Sequence, residues 1–221
     1  MPSRAKQPKR YKIIGIDGSP LHGGSGLWHL PKNGKPARWM PKVDDVCACA
    51  SGYHLITALG IVEWLPLAPI TGYLCEAEGR GDESADGNKT AFAQARLIKV
   101  VGLLDEKSMR LAAAEMAERA LPIFYKVRPN DDRPAKAIQA ARDYANGKIG
   151  DAATDAARAA ARAAAGAAAW AAARAAAWAA ARAAATDAAG DAAWDANAKI
   201  IIKHAAARLR ESSISSRREG V

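Results

Sequence analysis

The chain has 221 residues and a formal net charge of +9, and half of its residues are hydrophobic. This length allows one large or two small domains, and no apolar run approaches the roughly 18 residues that a membrane-spanning helix needs. Three cysteines, an odd number, argue against a disulfide framework and for a reducing compartment. Because the basic amino terminus also lacks the apolar stretch of a signal peptide, composition predicts a cytoplasmic protein without a membrane partner.

The positive charge is concentrated at the two ends of the chain. Residues 1–12 contain five basic side chains and no acidic one, residues 203–221 carry +3, and residues 13–202 together carry only +1. Basic tails add salt-dependent affinity for phosphate. We therefore expect basic tails at 1–10 and 211–221, through which nucleic acid is one candidate partner, on a body that is not a basic DNA-binding domain.

The first half of the chain has the pattern of strands separated by turns. Tyr11–Ile16 is a β-type run that ends at the Asp17-Gly18 turn pair, and a glycine-rich loop follows as far as Lys42. Val43–Cys49 and Gly52–Leu55 are predicted as further extended segments.

A short helix and a strand pair complete this half. Thr57 is a plausible N-cap for a helix over Ala58–Leu65, which Pro66 ends. Ile70–Glu78 and Thr90–Val101 alternate well enough to pair as antiparallel strands across a loop over 79–89, in which Asp86-Gly87-Asn88 suits a turn.

From Asp105 onward the pattern is helical. Met109–Val127 places apolar residues on one face, and Pro122 predicts a kink or a new segment inside it. Asp131 or Asp132 caps the next helix, with Pro134 in its first turn and an end at Asn146-Gly147.

The stretch from Arg158 to Trp194 is nearly all alanine, with a larger or more special residue at every fourth position. Alanine is the best helix former, so this stretch is predicted to be helical. A step of four residues drifts by roughly 40° on a straight helix, so no single face can carry the whole ladder. We expect two or three helices, divided near Gly166 and near Gly190.

These elements predict an α+β fold in two parts. The first is a small domain at 11–103, rich in antiparallel strands, and the second is an all-α, alanine-rich antiparallel helical bundle at 104–210. The tryptophans of the ladder either anchor the bundle or form a recognition stripe with the arginines between them. The candidate partner-binding residues are Trp170, Arg174, Trp178 and Arg182.

Chemistry-bearing residues are sparse and lie in the first half. Cys47, Cys49, His54 and Cys75 are the candidate ligands for a zinc site, although their spacing is not that of a standard zinc motif and buried structural cysteines are the alternative. The glycine-rich loop at 21–26 offers backbone amides, as phosphate loops do, but lacks a P-loop ending.

A second set of residues looks like the ADP-ribosyltransferase layout. His22-Gly23 follows the first strand, Gly52-Tyr53-His54-Leu55 leads into a helix, and Glu76 and Glu78 lie on a later strand. The resemblance implies that His22 and Tyr53 hold NAD as cofactor and that one of the glutamates stabilises an oxocarbenium-like transition state. The alternative is that the glutamates form the wet face of an edge strand.

Two segments resemble families. Residues 11–101, with His22-Gly23-Gly24-Ser25-Gly26, Trp39-Met40-Pro41 and Gly52-Tyr53-His54-Leu55, look like an uncharacterised domain common in actinobacteriophage and bacterial proteins. Residues from Arg110 onward, with Leu121-Pro122-Ile123-Phe124 and Asp131-Asp132-Arg133-Pro134, resemble a helical immunity-protein family. That family name implies binding and neutralising a toxin.

Together these features predict a phage-type accessory protein that is not an enzyme and acts by protein–protein binding, as an immunity or anti-defence factor in the host cytoplasm. It would need no cofactor, and its protein partner is not identified by the sequence. One alternative is an ADP-ribosyltransferase-like enzyme, and a second is a virion or nucleic-acid-associated structural protein.

Overall fold

A computed structural model describes residues 8–65, 71–149 and 187–218. Their elements are four strands, β1 (Arg10–Gly15), β2 (Tyr53–Ile56), β3 (Gly72–Asp86) and β4 (Lys89–Leu104), and four helices, α1 (Gly60–Glu63), α2 (Glu106–Val127), α3 (Arg133–Ala145) and α4 (Asp187–Arg218). Antiparallel strands in the first part and helices in the second make the protein α+β, as the sequence predicts.

The chain divides into two compact units. One comprises Met1–Asp105 together with Ile201–Val221, and the other comprises Glu106–Ile200. The first unit therefore contains the four described strands and the part of α4 that follows Ile200. That helix continues to Arg218, through residues for which the sequence predicts a basic tail.

The four strands close into a barrel in the order β1-β2-β4-β3. All of the pairings are antiparallel: β1 lies along the first half of β3, and the short β2 lies along the start of β4. The longest pairing joins β3 to β4 and contains three irregularities in register. Such bulges bend a hairpin and increase its twist, which allows so few strands to close.

The hairpin is longer than its sequence pattern indicates. The predicted loop over 79–89 is wrong, because β3 continues to Asp86 and a two-residue turn at Gly87-Asn88 leads into β4 at Lys89. Gly87 has a φ of 55°. The two-residue turns that suit the twist of a hairpin need a positive φ at this first central position. The extra residues are polar and mostly exposed, so they lack the apolar alternation that marks a strand.

The predicted strand at Val43–Cys49 is also wrong. This segment forms no ladder, and the loop that leads to it instead lies beside β4 through three backbone bonds. The amides of Ala37, Met40 and Val43 donate to carbonyls of Leu97, Ala95 and Ala93 at 2.8–2.9 Å. These bonds pair carbonyl groups at the edge of β4 that would otherwise lack a partner. Because the donors are three residues apart, they do not have the two-residue spacing of hydrogen bonds along a strand.

The barrel core combines strand residues with residues from this long loop. Ile14, Leu55 and Leu97 are fully buried, and Trp28 and Met40 from the loop pack with them in one cluster. Gly79 lies so close to the ring of Phe92 that a Cβ there would overlap it. Large apolar side chains in close contact thus stabilise the barrel.

The helices mostly match the sequence pattern, although α1 is shorter than the predicted Ala58–Leu65 and α2 begins earlier than the predicted Met109. The Thr57 hydroxyl accepts the Gly60 amide at 3.2 Å. The predicted N-cap is nevertheless wrong in position, because α1 begins at Gly60 and its N-cap is Leu59. The helix α2 runs without a break through Pro122, and α3 ends before Gly147, whose φ is 69°. The predicted break near Gly190 is wrong, since α4 is continuous there, and the one near Gly166 lies outside the described residues.

Within the first unit, the end of β4 contacts α4 closely. A Cβ at Gly102 would lie 2.5 Å from the Cβ of Ala205, so the absence of a side chain permits this approach. Three residues further along each segment, Arg208 Nε donates to Asp105 Oδ2 at 2.5 Å. These contacts attach the last part of α4 to the strand-bearing unit.

Candidate functional site

The strand-bearing unit contains a cavity of about 660 Å³. Its wall includes the middle of β1, the glycine loop with Trp28, the segment around Cys49 and β2, and the side chains of Trp64 and Lys89. The barrel and its long loop together therefore form a concave site of the size that small ligands occupy.

Lys12 extends from β1 on the same face as the buried Ile14. Its ammonium group donates to the carbonyl of His54 at 3.1 Å and lies 5.2 Å from the centre of the Trp28 ring. Burial lowers the pKa of Lys12 to about 8, because enclosure disfavours the charged form. No described carboxylate forms a salt bridge with it, so Lys12 brings a largely uncompensated positive charge to the cavity.

His54 lies between that charge and a second one. Its Nε2 accepts the backbone N–H of Cys49 at 3.0 Å, which requires that nitrogen to be unprotonated. Burial lowers the pKa of His54, and the nearby charges of Lys12 and Lys89 lower it further. We conclude that His54 is neutral at pH 7 and that both lysine charges act at its position.

Cys49 and Lys89 meet at the wall of the cavity. Lys89 Nζ lies 2.7 Å from the Cys49 sulfur and 3.2 Å from Asp86 Oδ2, and it sits 4.4 Å from the centre of the Trp64 ring. Its contact with the Cys49 thiol raises the pKa of Lys89, which keeps the amine protonated. Cys49 has a φ of 69°, a left-handed conformation that is uncommon outside glycine.

Sequence reasoning did not single out either lysine. A signal was present for Lys12, because strand alternation places it on the face of Ile14 within a run that is otherwise apolar. Lys89 offered no such signal, since its role depends on a turn that brings it to Cys49, forty positions earlier in the chain.

Two of the residues in the ADP-ribosyltransferase resemblance come together here. His22 Nε2 lies 2.7 Å from the Trp64 carbonyl oxygen, and the two rings meet edge to face. Tyr53 packs edge to face on Trp28, and its burial raises its pKa. Both His22 and Tyr53 line the cavity.

Glu76 and Glu78 are not among the residues that line the cavity. They alternate along β3 with Cys75 and Ala77, which belong to the barrel core, and so they lie on its outer face. Glu76 pairs with Lys9 and Lys99, and Glu78 pairs with Arg96 at 2.5 Å. The described cavity thus has the histidine and the tyrosine of the resemblance without its glutamate.

The four candidate zinc ligands are not brought together. Cys75 is buried in the barrel core, where its pKa is raised to about 12 by burial, whereas Cys47 and Cys49 are exposed. Across the described ranges, no group of three or more histidine, cysteine or acidic residues is placed to hold a metal ion.

The predicted partner-binding residues Trp170, Arg174, Trp178 and Arg182 lie outside the described residues. The described helices nevertheless present large apolar side chains to solvent. Trp194 is 46% exposed and Ile123 is 56% exposed. Arg119, one turn before Ile123, donates to Asn197 at 3.0 Å, and Asn197 is one turn after Trp194. This bond places the two exposed side chains in neighbouring parts of the helical unit.

None of the helices described is both long and apolar enough to cross a membrane. Fold and site together define an α+β protein in which a small barrel with a positively charged cavity shares its chain with a helical region. The family model "Imm-5 like putative immunity protein" matches residues 101–215, which is just over half of the chain. The chain therefore belongs to this family, and its membership indicates an immunity-type protein. No curated protein and no solved structure matches the chain.

Proposed function

We propose that the protein is a phage-type immunity or anti-defence factor that binds one protein partner stoichiometrically and performs no catalysis. The observation that carries this proposal is the family match over residues 101–215, because immunity proteins act by binding. Two exposed apolar side chains of the helical unit, Ile123 and Trp194, support it. Aromatic side chains and arginines are the residues most enriched at the centres of protein interfaces.

The proposed contact surface is defined by Ile123, Trp194 and Arg119. Arg119 is exposed and donates a hydrogen bond to Asn197, so it would lie at the polar rim of the interface. Ile123 and Trp194 would supply the apolar area that a partner buries on binding. Removing a central tryptophan from an interface commonly costs about 2 kcal/mol or more, which is at least tenfold in affinity. Trp170, Arg174, Trp178 and Arg182, which lie outside the described residues, stay candidate partner-binding residues on the strength of the sequence pattern.

The test is affinity purification from host extract with the wild-type chain and two variants. The first variant combines Ile123→Ala with Trp194→Ala, and the matched control is Leu27→Ala, which removes an equally exposed apolar side chain from the strand-bearing unit. We expect one protein to co-purify at near 1:1 ratio with the wild type and the control, and at least tenfold less with the double variant.

Two further measurements decide between outcomes. The purified partner should bind with the same ranking of variants in calorimetry, and its toxic activity should fall when the wild-type chain is added. Equal recovery by all variants would refute the surface. The absence of any near-stoichiometric partner would refute the binding function itself.

The enzyme alternative keeps its own test, motivated by the shared cavity of His22 and Tyr53. Incubation with NAD should release nicotinamide if the alternative is correct, and both His22→Ala and Tyr53→Ala should abolish the release. A rate equal to buffer alone would end this alternative. The nucleic-acid alternative predicts binding that disappears with added salt and with removal of residues 1–10.

A further inference from the structure

The cavity of the strand-bearing unit has an unusual balance of charge. Lys12 and Lys89 both belong to its wall, and among the described residues that line it there is no aspartate or glutamate. Lys89 forms a salt bridge with Asp86 at 3.2 Å, and Asp86 does not line the cavity. Lys12 has only the His54 carbonyl and the Trp28 ring as described partners.

An enclosed ammonium without a carboxylate is costly to keep. Removing a charge from water is unfavourable unless an opposite charge or several hydrogen bonds replace the lost solvation. One carbonyl at 3.1 Å and one aromatic ring replace only part of it. An anion in the cavity would provide the missing counter-charge.

The two positive charges act on the same place. Lys12 Nζ donates to the His54 carbonyl at 3.1 Å, and Lys89 Nζ lies 2.7 Å from the sulfur of Cys49, whose amide donates to His54 Nε2 at 3.0 Å. Both amines accordingly lower the pKa of His54. A single negative group beside His54 would therefore interact favourably with both amines. A lysine ammonium binds a phosphate or carboxylate as a compact positive charge.

The rest of the wall is aromatic and apolar. Trp28, Tyr53 and Trp64 contribute rings, and Met40 and Val43 contribute aliphatic surface. Gly23 and Gly24, which also line the cavity, have positive φ and no heavy atom within 4 Å of a potential Cβ, so the glycine loop leaves space beside the rings. Such a wall favours a flat apolar group next to the anion.

We propose that this cavity binds a small organic anion in which one phosphate or carboxylate is joined to a flat ring. Lys12 and Lys89 hold the anionic group, and the ring lies among Trp28, Tyr53 and Trp64. The volume of about 660 Å³ accommodates a mononucleotide or an aromatic acid. This site is independent of the protein-binding surface on the helical unit.

Binding is measured by calorimetry at low salt with probes that separate the two halves of the ligand. AMP and indole-3-carboxylate carry both a ring and an anion, adenosine and indole carry the ring alone, and inorganic phosphate carries the anion alone. We expect at least one of the first two probes to bind about tenfold or more tightly than either half, and the better one identifies the nucleotide or the aromatic-acid source.

Variants test the residues. Lys12→Met and Lys89→Met each remove an amine and keep an aliphatic chain of similar length, and Lys35→Met is the control at an exposed lysine that does not line the cavity. We expect each of the first two to weaken binding about tenfold or more, as for loss of a charged hydrogen bond, and the control to bind as the wild type does.

A second readout uses the wild-type chain alone, in case a lysine variant fails to fold. The pKa of His54, followed by NMR with and without the probe, should rise on binding because the anion offsets the two positive charges. The proposal is overturned if uncharged rings bind as well as their anions. It is equally overturned if no probe binds at about 10 mM, or if binding leaves the pKa of His54 unchanged.

Discussion

The two units of the chain are stabilised in different ways. In the strand-bearing unit, Ile14, Leu55, Leu74 and Leu97 are completely buried, and the chain pairs strand to strand over long distances in sequence. The described buried apolar residues of the helical unit are smaller on average: Ala112, Ala114, Ile138, Ala198 and Ile200. Its order therefore depends more on helix propensity than on the burial of large side chains.

This difference has a functional consequence. A tightly packed barrel can hold Lys12, His54 and Lys89 in fixed positions around a cavity, which small-ligand recognition requires. A helical unit with small buried residues leaves large side chains such as Trp194 and Ile123 at its surface, where a protein partner can cover them. The barrel is thus suited to a small ligand and the helices to a macromolecule.

The comparison is tested first by removing a large buried side chain from the barrel. Leu97→Ala should lower the free energy of unfolding by about 2–5 kcal/mol, since it leaves a cavity in a dense core. In the helical unit, Ile138→Ala removes a side chain of the same size and should cost nearer the lower end of that range, about 2 kcal/mol, because Ile138 is still 9% exposed. Urea unfolding followed by circular dichroism gives both values, with the exposed Leu27→Ala as control; equal losses at Leu97 and Ile138 would contradict the contrast.

The second test concerns the contact between β4 and α4. Gly102→Ala should cost about 1–3 kcal/mol, because the new methyl group would overlap Ala205, including its backbone. Ala205→Gly in the same chain should recover only part of this loss, since the backbone atoms of residue 205 remain. Full recovery would show that side chains alone set the distance, and an unchanged melting temperature in Gly102→Ala would rule out the close contact.

The third test uses pH. The pKa of Lys12 is about 8 in the folded chain, below the value of roughly 10.4 expected when it is unfolded. Between these values the unfolded chain binds the extra proton, so this group makes stability rise as the pH rises, and below pH 8 its full cost is present. Lys12→Met should remove that rise relative to the wild type, whereas Lys35→Met should keep it.

The pH dependence of the free energy of unfolding must be compared between wild type and Lys12→Met, because other groups titrate in the same range. Burial raises the pKa of Tyr11 and Tyr53, so their ionisation favours the unfolded chain at high pH in every variant alike. If wild type and Lys12→Met show parallel pH profiles in urea unfolding, the ammonium group of Lys12 is not enclosed.

The smallest effect is expected for the ion pair of the helical unit. The Arg142 guanidinium lowers the pKa of Glu118, so the pair stabilises α2 against α3 above the unfolded pKa of that carboxyl and is lost as the pH falls through its folded pKa. A double-mutant cycle with Glu118→Gln and Arg142→Met should show a small coupling that shrinks with added salt. A coupling independent of salt would mean that the pair is shielded from solvent.

Much of the fold followed from local sequence signals. The turn at Asp86-Gly87-Asn88 and the end of α3 before Gly147 depend on glycines that adopt positive φ, and both are as predicted. A helix after Thr57 is also present, but α1 begins two residues later than predicted, at Gly60. The family resemblance of the second half is likewise confirmed by the match over 101–215. Short-range chemistry determines such features, so a single sequence is enough to predict them.

Features that depend on distant partners were not predictable. The segment Val43–Cys49 is predicted as a strand, but Val43 and the loop before it satisfy the edge of β4 through every third amide instead. The exposed second half of β3 lacks apolar residues and is a strand only because β4 pairs with it. The cavity required Lys12 and Lys89 to converge on His54, and no spacing in the sequence encodes that convergence.

The close approach of Ala205 to Gly102 also bears on how the chain is made. Protein synthesis proceeds from the amino terminus, and domains usually fold as they leave the ribosome. Here the strands emerge first, but the helical segment that packs on the end of β4 is translated about a hundred residues later. The contact between Gly102 and Ala205 therefore forms only after the whole intervening helical unit, Glu106–Ile200, has been synthesised.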